Sequence, residues 1–64
     1  MDFAHLPTYR HLKTGNLYQV LTRAIDATNA RDGNTVVVYF RPESPGHFFV
    51  RDEGEFNEKF AFID

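Results

Sequence analysis

The sequence predicts a mostly β fold, a small SH3-like barrel of about five strands with one short helical turn near the C-terminus. Short segments rich in Val, Tyr, Phe and Thr alternate with turn signals built from Gly, Asn and Pro. In a polar segment that follows them, Phe56 and Phe60 lie four residues apart, the spacing of one helical turn. The 64 residues are expected to form one domain, residues 1–64.

The first half of the chain predicts two strands joined by a tight turn. Residues 9–13 alternate in polarity, and Gly15-Asn16 favours a turn because both residue types tolerate a positive φ. Residues 17–24 are expected to form the second strand. A helix is the alternative there, since four residues fit a helical stripe: Leu17, Val20, Leu21 and Ala24.

The second half predicts a hairpin, a helical turn and a last strand. Residues 25–34 are polar and end in the turn signal Asp32-Gly33-Asn34. Strands are expected over residues 35–41 and 47–51, with residues 42–46 as the loop, because this loop contains Pro42, Pro45 and Gly46. Residues 52–59 predict the helical turn and residues 60–63 the fifth strand.

Composition restricts how such a short chain can be stabilised. The chain has no cysteine, which excludes disulfides, zinc–thiolate sites and a cysteine nucleophile. Its aromatic content is 16%, with seven Phe, and these large side chains are expected to build the small core. Dimerisation is another common solution for small domains, so a homodimer is left open.

The charge distribution favours a protein partner over nucleic acid. The net charge is −2, whereas nucleic-acid-binding domains usually carry a basic surplus. Basic residues exceed acidic ones over residues 1–51, and acidic residues dominate residues 52–64. No apolar segment approaches the ~20 residues of a membrane span, and the N-terminus does not resemble a signal peptide. A cytoplasmic, soluble protein is expected.

The hairpin defines two faces. If the loop spans residues 42–46, Tyr39 lies opposite Phe49 and Val37 opposite Arg51. One face is then wholly apolar and is expected to be the core: Val36, Val38, Phe40, Phe48 and Val50. The other face is expected to point outward: Val37, Tyr39, Arg41, His47, Phe49 and Arg51.

This outer face is the candidate binding surface. Its predicted ligand- or partner-binding residues are Tyr39, Arg41, His47, Phe49 and Arg51, with His11 and Lys13 of the first strand added. Aromatic rings and arginines suit a protein hot spot, and equally suit single-stranded nucleic acid or a nucleotide. A purely structural role is the alternative, in which the Phe-bearing C-terminal segment folds over the aromatics.

Catalysis, metals and cofactors receive no support from the sequence. The three histidines are too far apart to form a zinc motif, and no Ser or Thr lies in a nucleophile motif. The carboxylates of residues 52–58 are typical of a solvated surface. A non-catalytic protein without cofactor or metal is therefore expected.

One stretch of sequence resembles a known family. It runs Tyr9-Arg10-His11-x-Lys13-x-Gly15-Asn16-x-Tyr18-x-Val20-Leu21, followed by Val36-Val37-x-Tyr39 and by Phe49-Val50-Arg51. This resembles a small bacterial and phage domain of unknown function with the pattern Y-R-H-x-K-G-x-x-Y-x-V-L, V-V-Y-R and W-V-R-P. The chain departs from it by one extra residue before Gly15, by Phe49 in place of Trp and by Asp52 in place of Pro. The resemblance covers residues 9–60 and implies a compact, mostly β fold.

Overall fold

The computed structural model describes residues 5–27 and 33–63. Five strands and one helix follow one another in the order β1 (Thr8–His11), β2 (Leu17–Asp26), β3 (Asn34–Arg41), β4 (Ser44–Asp52), α1 (Glu53–Lys59) and β5 (Phe60–Phe62). Each predicted element is present, with bounds that differ by up to three residues. Part of the predicted 25–34 connection, including Asp32, lies outside the described residues.

All strands belong to one antiparallel sheet with the order β4-β3-β2-β1-β5. The first four strands form a meander, and α1 then returns the chain so that β5 pairs with the free side of β1. Strands β4 and β5 form the two edges and do not pair with each other in the described part of the chain. The mostly β prediction is confirmed, whereas the sheet is not closed into the predicted barrel.

The turn between β1 and β2 forms where the sequence predicts it. Gly15 has a φ of +79°, a conformation that glycine adopts at little cost. Its N–H donates to the carbonyl of His11 at 2.7 Å, and the His11 N–H donates to the carbonyl of Asn16 at 2.9 Å. The strand interpretation of residues 17–24 is confirmed over the helical alternative, since β2 spans Leu17–Asp26.

The register of the β3–β4 hairpin agrees with the prediction except near the loop. Tyr39 lies opposite Phe49 and Val37 opposite Arg51, as expected. The five-residue loop is wrong: Arg41 pairs with Ser44, and the register shifts between Phe40 and Arg41. Residues 45–47 of β4 fall between these two successive pairs and are accommodated by the irregularity. Proline is tolerated in the resulting β4 because an edge strand need not donate every N–H to a neighbour.

A β-bulge in β2 changes which residues share a face. The register against β3 shifts between Val20, which pairs with Tyr39, and Thr22, which pairs with Val38. Simple alternation places Arg23 opposite to the Val20 face, but the additional residue brings Arg23 onto that face. Arg23 then donates from Nε to Oε2 of Glu53 at 2.8 Å and connects β2 to the first turn of α1.

Helix α1 covers one face of the sheet with a single buried aromatic side chain. Asp52 caps its N-terminus, because the carboxylate accepts a hydrogen bond from the Glu55 N–H at 3.3 Å. Phe56 is fully buried, and its ring stacks on Phe60 with a centroid distance of 4.2 Å and an interplanar angle of 7°. The predicted helical turn pinned by two aromatics is therefore confirmed.

The core lies mainly on the face that the sequence predicted to point outward. The buried cluster consists of Val20, Val37, Tyr39, Phe56 and Phe60, with Tyr9 and Tyr18 packed against it. The predicted core face is only partly buried: Val36 and Phe40 are buried and Val38 is half-buried, but Phe48 and Val50 are exposed. The assignment of faces was wrong because α1 packs on the mixed face, and because no strand among the described residues lies along the outer side of β4.

Candidate functional site

Tyr39 lies at the centre of the aromatic cluster. Its ring is in contact with four others at centroid distances of 5.2 to 5.5 Å, contributed by Tyr18, Phe49, Phe56 and Phe60. Three of these contacts are edge-to-face, the arrangement that aromatic quadrupoles favour. Tyr39 is 4% exposed. The predicted pairing of Tyr39 with Phe49 is therefore present, but the Tyr39 ring is covered by the chain itself.

The hydroxyl of Tyr39 is held by Arg51. Arg51 donates from Nε to the Tyr39 hydroxyl oxygen at 3.1 Å and from Nη1 to Oε1 of Glu55. Its guanidinium lies 5.7 Å from the centroid of the Phe60 ring, within cation–π range. The Tyr39 hydrogen bond, followed by the interactions with Glu55, holds the pKa of Arg51 above its usual value. Arg51 therefore supports the cluster from its rim.

The other predicted site residues on the hairpin have different surroundings. Arg41 donates to Oε1 of Glu43 from both Nε and Nη2, at 3.1 and 2.8 Å. His47 is exposed on β4. Phe49 packs on the core through one side of its ring and is 41% exposed. Of the seven predicted site residues, Tyr39 is thus unavailable to a partner, and Phe49 is the accessible aromatic on this face.

A row of accessible rings extends from Phe49 across the sheet. Tyr18 lies 6.2 Å from Phe49, and His11 lies 6.5 Å from Tyr18, both in edge-to-face orientation. We name these three residues, His11, Tyr18 and Phe49, the aromatic row. His11 and Tyr18 are half-buried because each also packs on Phe60, at 4.8 and 5.4 Å. The rings of the row are therefore fixed on the side that packs on the core and accessible on the opposite side.

His11 and Lys13 extend this surface into the turn after β1. The Nδ1 atom of His11 is hydrogen-bonded to the Thr14 hydroxyl at 3.1 Å, which orients the ring. Lys13 is exposed in that turn. Tyr9, two residues before His11 on β1, packs on Phe56 with a centroid distance of 5.0 Å.

Tyr18 was missed as a site residue by sequence reasoning. The alternation of β2 placed it on one face with Val20, and both prove to lie on the helix-covered face. The signal for Tyr18 in the sequence was its position just after the Gly15-Asn16 turn, where the hairpin pairs it with Tyr9. Its contact with Phe49 could not be anticipated, because β3 separates β2 from β4 in the sheet.

A shallow depression of about 430 Å³ lies at the C-terminal end of β4. It is wide open and is lined by Asp26, Val36, Val50, Arg51, Asp52 and Glu55. Within residues 5–27 and 33–63, no group of three His, Asp or Glu side chains is arranged to hold a metal ion. Among the same residues, no helix has the length and hydrophobicity to cross a membrane.

The fold and surface described above define a small antiparallel β domain with an aromatic surface, and comparison with known sequences identifies its family. The model of the family described as "Protein of unknown function (DUF1653)" matches residues 7–62, nearly the whole chain. The chain belongs to this family. No curated protein and no solved structure matches the chain.

Proposed function

We propose that this protein is a non-catalytic binding module that recognises a protein partner through the aromatic row. The observation that supports this best is the position of Phe49, which keeps 41% of its surface accessible beside two further rings. Rigid aromatic side chains make effective anchors because they contribute much contact area at little cost in conformational entropy. Arg41, His47 and Arg51 of the same hairpin are proposed as the polar rim of this surface.

The charges around the row favour a protein over a polyanion. Arg41 is paired with Glu43, and Arg51 is engaged by Glu55 and the Tyr39 hydroxyl. Phosphate binding requires cations that can approach the ligand and release its counterions. Cations that are already neutralised by carboxylates serve better as a polar rim around an apolar contact.

Binding of single-stranded nucleic acid or a nucleotide through the same surface is the second candidate. It is supported by the exposed Lys13, two residues from His11, because a cation beside stacked rings is the arrangement that single-stranded ligands use. Titration with oligonucleotides at low and high salt tests this candidate. Affinity that falls steeply with salt supports it, and no binding at low salt rejects it.

The remaining parts of the proposal are supported by the fold and the sequence pattern. The five antiparallel strands, with a helix that leads the last strand back to β1, support a relationship to SH3-like barrels. The resemblance to a bacterial and phage domain family supports a small regulatory protein of that origin, and the lack of cysteine fits a reducing cytoplasm.

Phe49→Ala tests the role of the aromatic row. We expect the variant to fold and to lose at least tenfold in affinity for the partner, because it removes the most accessible ring of the row. Partners captured from lysate by the wild type, identified by mass spectrometry, provide the binding assay. Phe62→Ala is the matched control, since Phe62 is also exposed and also packs on a core tyrosine, with a centroid distance of 5.5 Å to Tyr9.

The comparison of the two variants decides the result. Loss of the same partners with Phe49→Ala but not with Phe62→Ala supports the row. If Phe49→Ala folds and retains every partner of the wild type, the aromatic row is not the interface. Circular dichroism and a thermal melt of each variant establish that the fold is intact.

A further inference from the structure

Strand β4 leaves an apolar segment on an open edge of the sheet. Its central residues Phe48, Phe49 and Val50 are 51%, 41% and 63% exposed. They project to both faces, because successive side chains of a strand alternate. Within the described residues, no strand pairs with the outer side of β4.

The two edges of the sheet differ in how they are protected. Strand β5 is only three residues long, and short edge strands offer few groups for pairing. Strand β4 has nine residues and carries the usual protective features only at its ends: Pro45 and Gly46 near its start, and Asp52, which caps α1. The register shift against β3 also lies near its start, at residues 45–47. Residues 48–51 contain no proline, glycine or bulge, and Phe48, Phe49 and Val50 among them are uncharged.

We propose that β4 pairs antiparallel with β4 of a second copy of this chain, with the two-fold axis at Phe49. Antiparallel pairing of identical strands around a two-fold axis places residues opposite each other symmetrically about its centre. With Phe49 at the centre, it lies opposite its own counterpart, and Phe48 lies opposite Val50. Phe49 is also the middle one of the three exposed apolar residues of β4.

Other registers match the side chains less well. A centre at Val50 places Phe49 opposite Arg51 and Phe48 opposite Asp52. A centre at Phe48 places Pro45 opposite Arg51, where proline cannot donate a ladder hydrogen bond. The centre at Phe49 is the one that brings the three exposed apolar residues together, and this symmetry is why a second copy fits the edge.

The contact area predicts weak association. Phe48 and Phe49 each expose about half of their side chains, which corresponds to roughly 100 Å² apiece. This is small beside the ~1,200–2,000 Å² buried in stable interfaces. Association is therefore expected to be weak, so that the pair forms at high concentration and dissociates on dilution.

Sedimentation velocity between about 10 µM and about 1 mM tests the association. The wild type is expected to shift from monomer to dimer over this range. Val50→Lys should stay monomeric, because the introduced charge would lie opposite the apolar Phe48 of the other copy. Ile25→Lys is the matched control and should dimerise like the wild type. Ile25 is equally exposed, but it lies in the interior strand β2, where it pairs with Thr35 of β3.

Cysteine cross-linking tests the register. The chain has no cysteine of its own, so an introduced thiol reports a single position. In the proposed dimer the two cysteines of Phe49→Cys lie opposite each other, at a Cα separation within the 4.4–6.8 Å of a disulfide. This variant should therefore form a covalent dimer at least tenfold faster than Val50→Cys. Equal rates for the two variants overturn the register, and a wild type that remains monomeric at every concentration overturns the pairing.

These outcomes are separable from those of the proposed binding function. Val50 lies on the face opposite to the aromatic row, because Val50 pairs with Val38 and Phe49 with Tyr39. Val50→Lys therefore removes self-pairing while it leaves the row unchanged. Partner capture by this variant tests the row alone.

Discussion

The contact between Arg51 and Tyr39 illustrates how one long side chain stabilises a small core. The Tyr39 ring is buried among four others, and its hydroxyl oxygen would lack a charged donor without Arg51. The guanidinium also lies over Phe60 and bonds Glu55 of α1. A residue that the hairpin pattern predicts to be a surface cation thus connects β3, β4 and α1.

Tyr39→Phe tests the stabilising effect of this hydrogen bond. We expect the free energy of unfolding to fall by about 1 kcal/mol, because the ring is retained and only the bond to a charged, partly exposed donor is lost. Urea denaturation gives the value. The hydrogen bond to the Tyr39 hydroxyl holds the pKa of Arg51 above its usual value, so its charge is retained and the loss should not vary with pH in the neutral range.

A double-mutant cycle identifies the origin of that loss. In an Arg51→Met background, Tyr39→Phe should change the free energy of unfolding by no more than a few tenths of a kcal/mol. The same loss in both backgrounds would contradict a contribution from the Arg51 bond.

Helix α1 is only seven residues long and depends on its ends and on one anchor. Helices this short are unstable in isolation, so capping and packing must supply the stabilisation. Asp52 provides the N-cap, Glu53 and Glu55 lie in the first turn, and Lys59 lies in the last. These charges all complement the helix dipole. The acidic C-terminal region noted in the sequence therefore has a structural role.

Asp52→Ala is expected to lower the free energy of unfolding by about 1 kcal/mol through loss of the cap. Asp52→Asn is the control, because asparagine caps helices about as well as aspartate but carries no charge. Thermal melts of both variants give the comparison. Equal destabilisation by the two substitutions would show that the charge of Asp52, rather than the cap, is what stabilises the protein.

Much of the fold could be predicted from local patterns. The turn at Gly15, the five strands, the pairing of Tyr39 with Phe49 and the helical turn of Phe56 and Phe60 all depend on residues close in sequence. The prediction of which face is buried failed, because it depends on where α1 docks and on the bulge between Val20 and Thr22. Neither leaves a signal in the alternation of a single hairpin.

The candidate site was predicted only in part, because the exposure of its residues also depends on where α1 docks. Phe49 is accessible, whereas Tyr39 is covered by aromatics from α1 and β5. An aromatic and basic strand face has the same composition whether a partner or the chain's own helix packs on it. Only the tertiary structure separates the two, and here it assigns Tyr39 to the core and Phe49 to the surface.

Phe56→Ala tests how far the whole domain depends on its one helical anchor. Truncation of a buried Phe costs about 3–5 kcal/mol, which is comparable to the ~3–5 kcal/mol that the core of such a small domain provides. We expect Phe56→Ala to be largely unfolded at 25 °C by circular dichroism, and Phe56→Leu to fold with a lower melting temperature. Phe62→Ala, at a position that is 63% exposed, should change little. A folded Phe56→Ala variant would show that α1 is dispensable.

The pairing of β5 with β1 has a consequence for how the polypeptide acquires its structure. Tyr9 lies opposite Phe62, and His11 opposite Phe60, so the two strands join residues about fifty positions apart. Phe60 is also a member of the buried core cluster. Contacts of this sequence separation form late and are slow, because a large loop must close first. During synthesis, the meander therefore emerges from the ribosome with the outer side of β1 unpaired and its core open, and the domain completes itself only once Phe62 is available.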